Sequence, residues 1–168
     1  MIPVVKSLIT QLYKDTKIRV IKADTTAPIP SLPFGVYKVT SPYIKEAGMP
    51  NETYVNNEGS LSMIREESYK TSLSMNLYGK TDEEAMEKAS IIRNWFTFHG
   101  EQFIQEQNAA VTRVGNIENR TSLLSDSAQG AKTGFEYRHG FDIQLRLSNT
   151  QIKVTDHFDT IEMGGVIT

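Results

Sequence analysis

Residues 135–147 constrain the fold most strongly. Phe135, Tyr137, Phe141, Ile143, Leu145 and Leu147 alternate with Glu136, Arg138, Asp142, Gln144 and Arg146, the period of two that gives a strand one buried face and one wet face. Tyr69, Thr71, Leu73, Met75 and Leu77 repeat the pattern around Lys70, Ser72, Ser74 and Asn76. Helical periodicity appears twice. Val5, Leu8, Ile9 and Leu12 form one apolar stripe behind Pro3, which suits a first turn. Thr81-Asp-Glu-Glu84 fits a capping box, with the Thr81 hydroxyl on an orphan amide and the Glu84 carboxylate reaching back to the cap. Ala85, Ala89, Ile92 and Phe96 then share a face, Glu84 and Lys88 are spaced to pair, and Gly100 stands where a left-handed terminal glycine ends a helix. A short helical turn carrying Phe103 and Ile104 is expected at 101–107. This order of elements predicts an α+β domain, a mostly antiparallel sheet with helices packed on one side.

The intervening segments are expected as follows. Ile18–Ile21 and Phe34–Thr40 read as strands, joined by an extended surface connection holding Pro28, Pro30 and Pro33. Residues 41–59, with Pro42, Gly48, Pro50 and Gly59, form a protruding hairpin or a binding loop. A strand at 110–117 precedes a polar, mobile loop at 118–134. Ser148-Asn-Thr150 offers a turn and Ile152-Lys-Val154 a partner strand, predicting a C-terminal hairpin. The tail Gly164–Thr168 is frayed or donated to a neighbour. No boundary divides the 168 residues, which read as a single domain.

Composition narrows the function classes. A chain 39% hydrophobic with mean hydropathy −0.36 is globular, and at this length it buries roughly 70% of its unfolded surface. The absence of cysteine removes disulfides, thiolate metal sites and thiol nucleophiles. A net charge of −2 lacks the basic excess of a DNA-wrapping protein. No run of about 18 apolar residues and no signal-like start are present, which points to the cytoplasm and away from membranes. His99, His139 and His157 have no metal-ligand spacing, and Asp156-His-Phe-Asp159 reads as solvated rather than ligating. No nucleophile elbow or glycine-rich phosphate loop occurs. Catalytic, cofactor and metal sites are therefore expected to be absent. Tyr37, Tyr43, Tyr54 and Tyr69 lie near basic residues, yet strand alternation accounts for Tyr37 and Tyr69 without base stacking.

Two stretches resemble the tail-terminator, or neck terminator, proteins of tailed bacteriophages. One is Ile18–Tyr37, a strand, a proline-rich crossing and an aromatic-containing strand. The other, Phe135-Glu-Tyr-Arg-His-Gly-Phe-Asp-Ile-Gln-Leu-Arg146, is similar to that family's Y/F-E-x-R-x-x-F-D strand. The capped helix to Trp95-Phe96 and the strand before Asn119-Arg120 lie between them in the family's order. The resemblance implies a virion protein without catalytic activity, assembled in the host cytoplasm. It implies a ring, usually of six copies, that caps the completed tail tube and meets the head-side connector or stopper. Tail sheath is a further candidate partner, and DNA passes through without specific binding. Contacts between subunits or partners are then expected at Pro28, Pro30, Pro33, Phe34, Tyr43 and Tyr54. Glu136, Arg138, Asp142 and Arg146 share a strand face and are expected to form ion pairs within the subunit or across the ring. A head-side stopper or another minor tail-completion protein is the nearest alternative. A small hydrolase or transferase and a nucleic-acid-binding regulator are more distant ones.

Overall fold

Both alternating stretches lie inside strands longer than their patterns. In the computed structural model, which describes residues 3–26, 28–57, 60–124 and 134–155, the chain runs α1 (Pro3–Thr16), β1 (Val20–Lys22), β2 (Phe34–Lys45), β3 (Asn51–Asn57) and β4 (Ser60–Gly79). Then come α2 (Asp82–Asn94), a π turn (Trp95–His99), α3 (Glu101–Glu106), β5 (Ala109–Val114), β6 (Glu118–Asn119), β7 (Ser122–Leu124) and β8 (Gly134–Thr155). The eight-stranded sheet has the order β1-β2-β4-β8-β5, with β3 added on β4 and both β6 and β7 on β8. β1 and β2 are parallel; the other described ladders are antiparallel. Helices lie to one side, so the fold is the α+β arrangement that the patterns predict.

Packing divides the chain into two units. A core unit holds residues 1–46 and 69–147, and a hairpin unit holds residues 47–68 and 148–168. All buried apolar side chains among the described residues belong to the core unit. Val5, Leu8 and Leu12 from α1 and Ala89 and Ile92 from α2 meet Leu73, Met75, Leu77, Phe141, Ile143 and Leu145 from the sheet. Full burial of such a leucine, isoleucine or phenylalanine contributes about 1.5–3 kcal/mol.

The start of α2 differs from the expected box by one residue. Glu84 N–H donates to Thr81 Oγ1 at 3.2 Å, but the Glu84 carboxylate accepts from Lys80 N–H at 2.6 Å rather than from the cap itself. With Glu84 engaged there, Lys88 Nζ lies 3.2 Å from Glu87 instead. Gly100 is not left-handed, with φ −90° and ψ 0°. Its role is close approach, because a Cβ would stand 2.7 Å from the Trp95 ring. Gly100 N–H donates to Trp95 O at 2.7 Å, closing the π turn, and the indole Nε1–H donates to Asp15 Oδ2 at 2.7 Å, tying the π turn to α1.

Of the connections, one takes the first of its two expected forms and two differ from expectation. Residues 41–59 contain the end of β2 and one strand of a hairpin, paired with β4 from Asn51↔Glu66 to Asn57↔Ser60. The start of 118–134 is fastened along β8 as β6 and β7, while residues 125–133 lie outside the described ones. The C-terminal hairpin does not form. β8 passes straight through Ser148-Asn-Thr150 to Thr155, because none of those three residues takes the positive φ that a tight hairpin turn needs. The tail 164–168 is outside the described residues.

Candidate functional site

The wet face of β8 distributes its charges to several elements. Glu136 and Arg138 meet at 3.8 Å. Arg138 Nε–H also donates to Arg120 O at 3.0 Å, and its guanidinium lies 5.9 Å above the Tyr78 ring. Asp142 faces Arg120 at 3.5 Å, and Arg146 turns to Glu46 at 2.7 Å. Each of these pairs is internal to the chain. Arg120, which sequence reasoning placed in the family order but not among the site residues, joins two of them, Asp142 by its guanidinium and Arg138 by its carbonyl; it also pairs with Glu118 at 3.0 Å and donates to Ser74 Oγ at 3.0 Å and Asn76 Oδ1 at 3.1 Å on β4. Gly140 makes the crossing possible, since a Cβ there would stand 2.8 Å from the Arg120 guanidinium and 2.5 Å from Met75 O. The glycine inside Arg138-His-Gly-Phe141 was the available signal.

Two carboxylates anchor the surrounding elements. Asp82, at the start of α2, accepts from Asn119 Nδ2 at 3.1 Å and Thr121 Oγ1 at 3.4 Å, and lies 3.0 Å from His139 Nε2. The hydrogen bond with His139 is the main cause holding the Asp82 carboxyl below its usual range. Glu46, at the end of β2, takes Arg146 at 2.7 Å and Lys70 at 3.0 Å. Hydrogen bonds from Arg146 and then Lys70 hold its carboxyl down as well. Beside this triad Tyr43 stacks on Tyr69 with ring centres 5.1 Å apart. Both arrangements fix segments to one another.

The proline segment forms one wall of an apolar groove of about 450 Å³ in the core unit. Ile29, Pro30 and Leu32 face Phe34 and Tyr78, whose rings stack 4.8 Å apart, and Phe135 closes the far side. Ile29 is 78% exposed and Phe135 58%. Pro30 and Phe34 thus come together, Pro33 follows a cis peptide bond and is half-buried, and Pro28 is exposed. Tyr54 is elsewhere, in the hairpin unit, 58% exposed. In that unit no described residue is buried, and Met49, Ile152 and Val154 are exposed with it.

Among the described residues no group of three or more histidines or carboxylates is placed to hold a metal ion, and no helix is long and apolar enough to cross a membrane. Residues 156–159 lie outside that description. The sequence model of the family described as phage neck terminator protein matches residues 4–168. The chain belongs to the phage neck terminator family. Neck terminators are structural, non-enzymatic components of the virion tail and neck that associate with other tail or neck proteins. Comparison with curated proteins gives no match for this neck terminator. Among solved structures, a prolyl-tRNA synthetase from Cryptosporidium parvum aligns at 12% identity and TM-score 0.33, over 86% of this chain and 44% of that one. The chain spans less than half of that structure, and a likeness of this size carries no argument about fold or function.

Proposed function

We propose that this neck terminator forms a ring, of six copies, that caps the completed tail tube and presents its other surface to the head-side connector. The supporting observation is the hairpin unit. Its strands carry Tyr54, Ile152 and Val154 in the open, and no described residue of it is buried. Strands without a covering layer gain little of the burial that offsets the entropy of ordering them. A neighbouring subunit or a stacked ring supplies the missing layer and covers edges that would be hazardous in a monomer. Tail sheath is a further candidate partner. DNA passes through without specific binding, consistent with a chain carrying no basic excess.

Mass measurement of the purified protein, alone and with tail tubes, tests this reading. A six-copy species on the tube end is expected. Tubes grown without the protein that stop at their usual length and still join filled capsids would overturn it.

A further inference from the structure

We infer that the free protein pairs with a second copy of itself through the outer edge of β3, the two strands running antiparallel about a two-fold axis at Tyr54. An outer edge is a row of unpaired main-chain groups, and proteins blunt it with short strands, bulges, prolines and lysines. Among the described residues the other edges of this sheet are blunted. β1, β6 and β7 are two or three residues long. β2 beyond β1 holds two register shifts and Pro42, β5 has a shift between Val111 and Arg113, and β8 beyond β5 carries Lys153. β3 has none of these devices: it pairs with β4 over seven unbroken positions and contains no proline, lysine or arginine. No described strand lies along its other side.

The main chain of an edge accepts any extended segment, so side chains choose the partner. β3 is complementary to itself. About a two-fold axis at Tyr54, Thr53 stands opposite the partner's Val55, a pair of β-branched residues, and Glu52, the strand's one charge, stands opposite the partner's Asn56. No like charges meet. The two tyrosines face each other at the centre, and within each chain Tyr54 is across from Met63. Residues directly opposite share a face, so an apolar row of two methionines and two tyrosines crosses the seam. Tyr54 is 58% exposed in the single chain, and this row covers it. A two-fold contact closes on itself as a pair and cannot be the one that repeats around a ring. The pair is therefore a state of the free protein, shielding the edge before a tube is met. A seam of seven residues is small, which makes the pair transient rather than permanent.

The chain has no cysteine, so a thiol introduced at one position links only to the same position of a second copy. Opposite residues of an antiparallel pair have Cα atoms about 4.5–5.5 Å apart, within the span of a disulfide. Oxidised without tubes, Tyr54→Cys protein should form a linked dimer about tenfold faster than Tyr13→Cys protein, whose thiol replaces an α1 side chain of similar exposure, 51%. Sedimentation of the unaltered chain at concentrations rising through about 100 µM should show a reversible dimer. Asn56→Glu opposes two pairs of like charges and should weaken it roughly fivefold, and Asn56→Lys should strengthen it by a similar factor. Both variants are checked for an unchanged melting temperature, and a role of Asn56 in folding alone would not reverse with the sign of the charge. A free protein that stays monomeric, thiols at position 54 that link no faster than those at position 13, or Asn56 variants that shift association the same way overturn the inference. A ring on the tube with a monomeric free protein also overturns it and leaves the ring reading standing. A paired free protein that forms no ring on the tube supports it and overturns the ring reading.

Discussion

β4 and β8 each run through both units, so the same two strands show what a covering layer does. Within the core unit Leu73, Met75 and Leu77 of β4 are at most 1% exposed, and Phe141, Ile143, Leu145 and Leu147 of β8 at most 2%. Further along the same strands no described residue from 61 to 68 is buried, and Ile152 and Val154 stand 68% and 65% exposed. Ladder pairing is continuous from Asn51↔Glu66 to Asn57↔Ser60 in the hairpin unit, so backbone hydrogen bonding is not what separates the two. The difference is α1 and α2, which bury their apolar faces on the core unit's strands. The hairpin unit also holds Arg65 Nε, which is shielded from solvent without an acceptor among the described residues. Burial of apolar side chains is thus concentrated in one unit.

The largest test of that contrast is Trp95→Ala. The indole is 1% exposed, packs edge-on against Phe96 at 5.0 Å and bonds to Asp15, so truncation should cost about 3–5 kcal/mol in urea denaturation. Gly100→Ala comes next. The added methyl meets the same ring at 2.7 Å, and overpacking of this kind costs about 1–3 kcal/mol. Should either variant prove as stable as the parent, the core would not depend on the π turn in the way its geometry implies.

What the sequence disclosed follows the same division. The alternation at 69–77 and 135–147 and the stripes of α1 and α2 were legible because one layer buries them, and burial imposes a period. Ser148-Asn-Thr150 was misread as a turn because polar residues punctuate a strand equally well when it is exposed on both sides. Gly100 misled for a related reason: its position suggested a left-handed cap, whereas the demand on it is steric and comes from Trp95. Arg120 was out of reach. Its partners Ser74, Asn76 and Asp142 come from distant β4 and β8, and a single sequence does not say which strands are neighbours. The family order, by contrast, was visible in the Ile18–Tyr37 and Phe135–Arg146 stretches.

Acid provides the next test, directed at the carboxylates that fasten the core unit. Asp82 and Glu46 are both held below their ordinary values of 3.8 and 4.5, Asp82 first by the hydrogen bond with His139 and Glu46 first by that from Arg146. A carboxyl depressed in the folded state contributes stability that is fully present above its ordinary value and lost as the pH falls through the folded one. Melting temperature should therefore drop as the pH is lowered below 4.5 and then 3.8. Asp82→Asn and Glu46→Gln should each flatten part of that slope. An acid limb unchanged in both variants would show that these anchors are incidental to the core unit's stability.

The smallest effect on the isolated chain is expected in the hairpin unit, and it sharpens the contrast most. Tyr54→Ala and Ile152→Ser remove side chains that are 58% and 68% exposed, so each should shift denaturation by no more than about 0.5 kcal/mol. The same changes should abolish capping of tail tubes, measured as the fraction of tubes that stop at full length. A large loss of stability in these variants would mean that the hairpin unit has its own core after all. Unchanged stability with unchanged capping would mean that its exposed face meets nothing. Only the combination of silent folding and lost assembly fits a surface whose covering layer lies on another molecule, because the energy those side chains contribute is then absent from the monomer and appears at the contact.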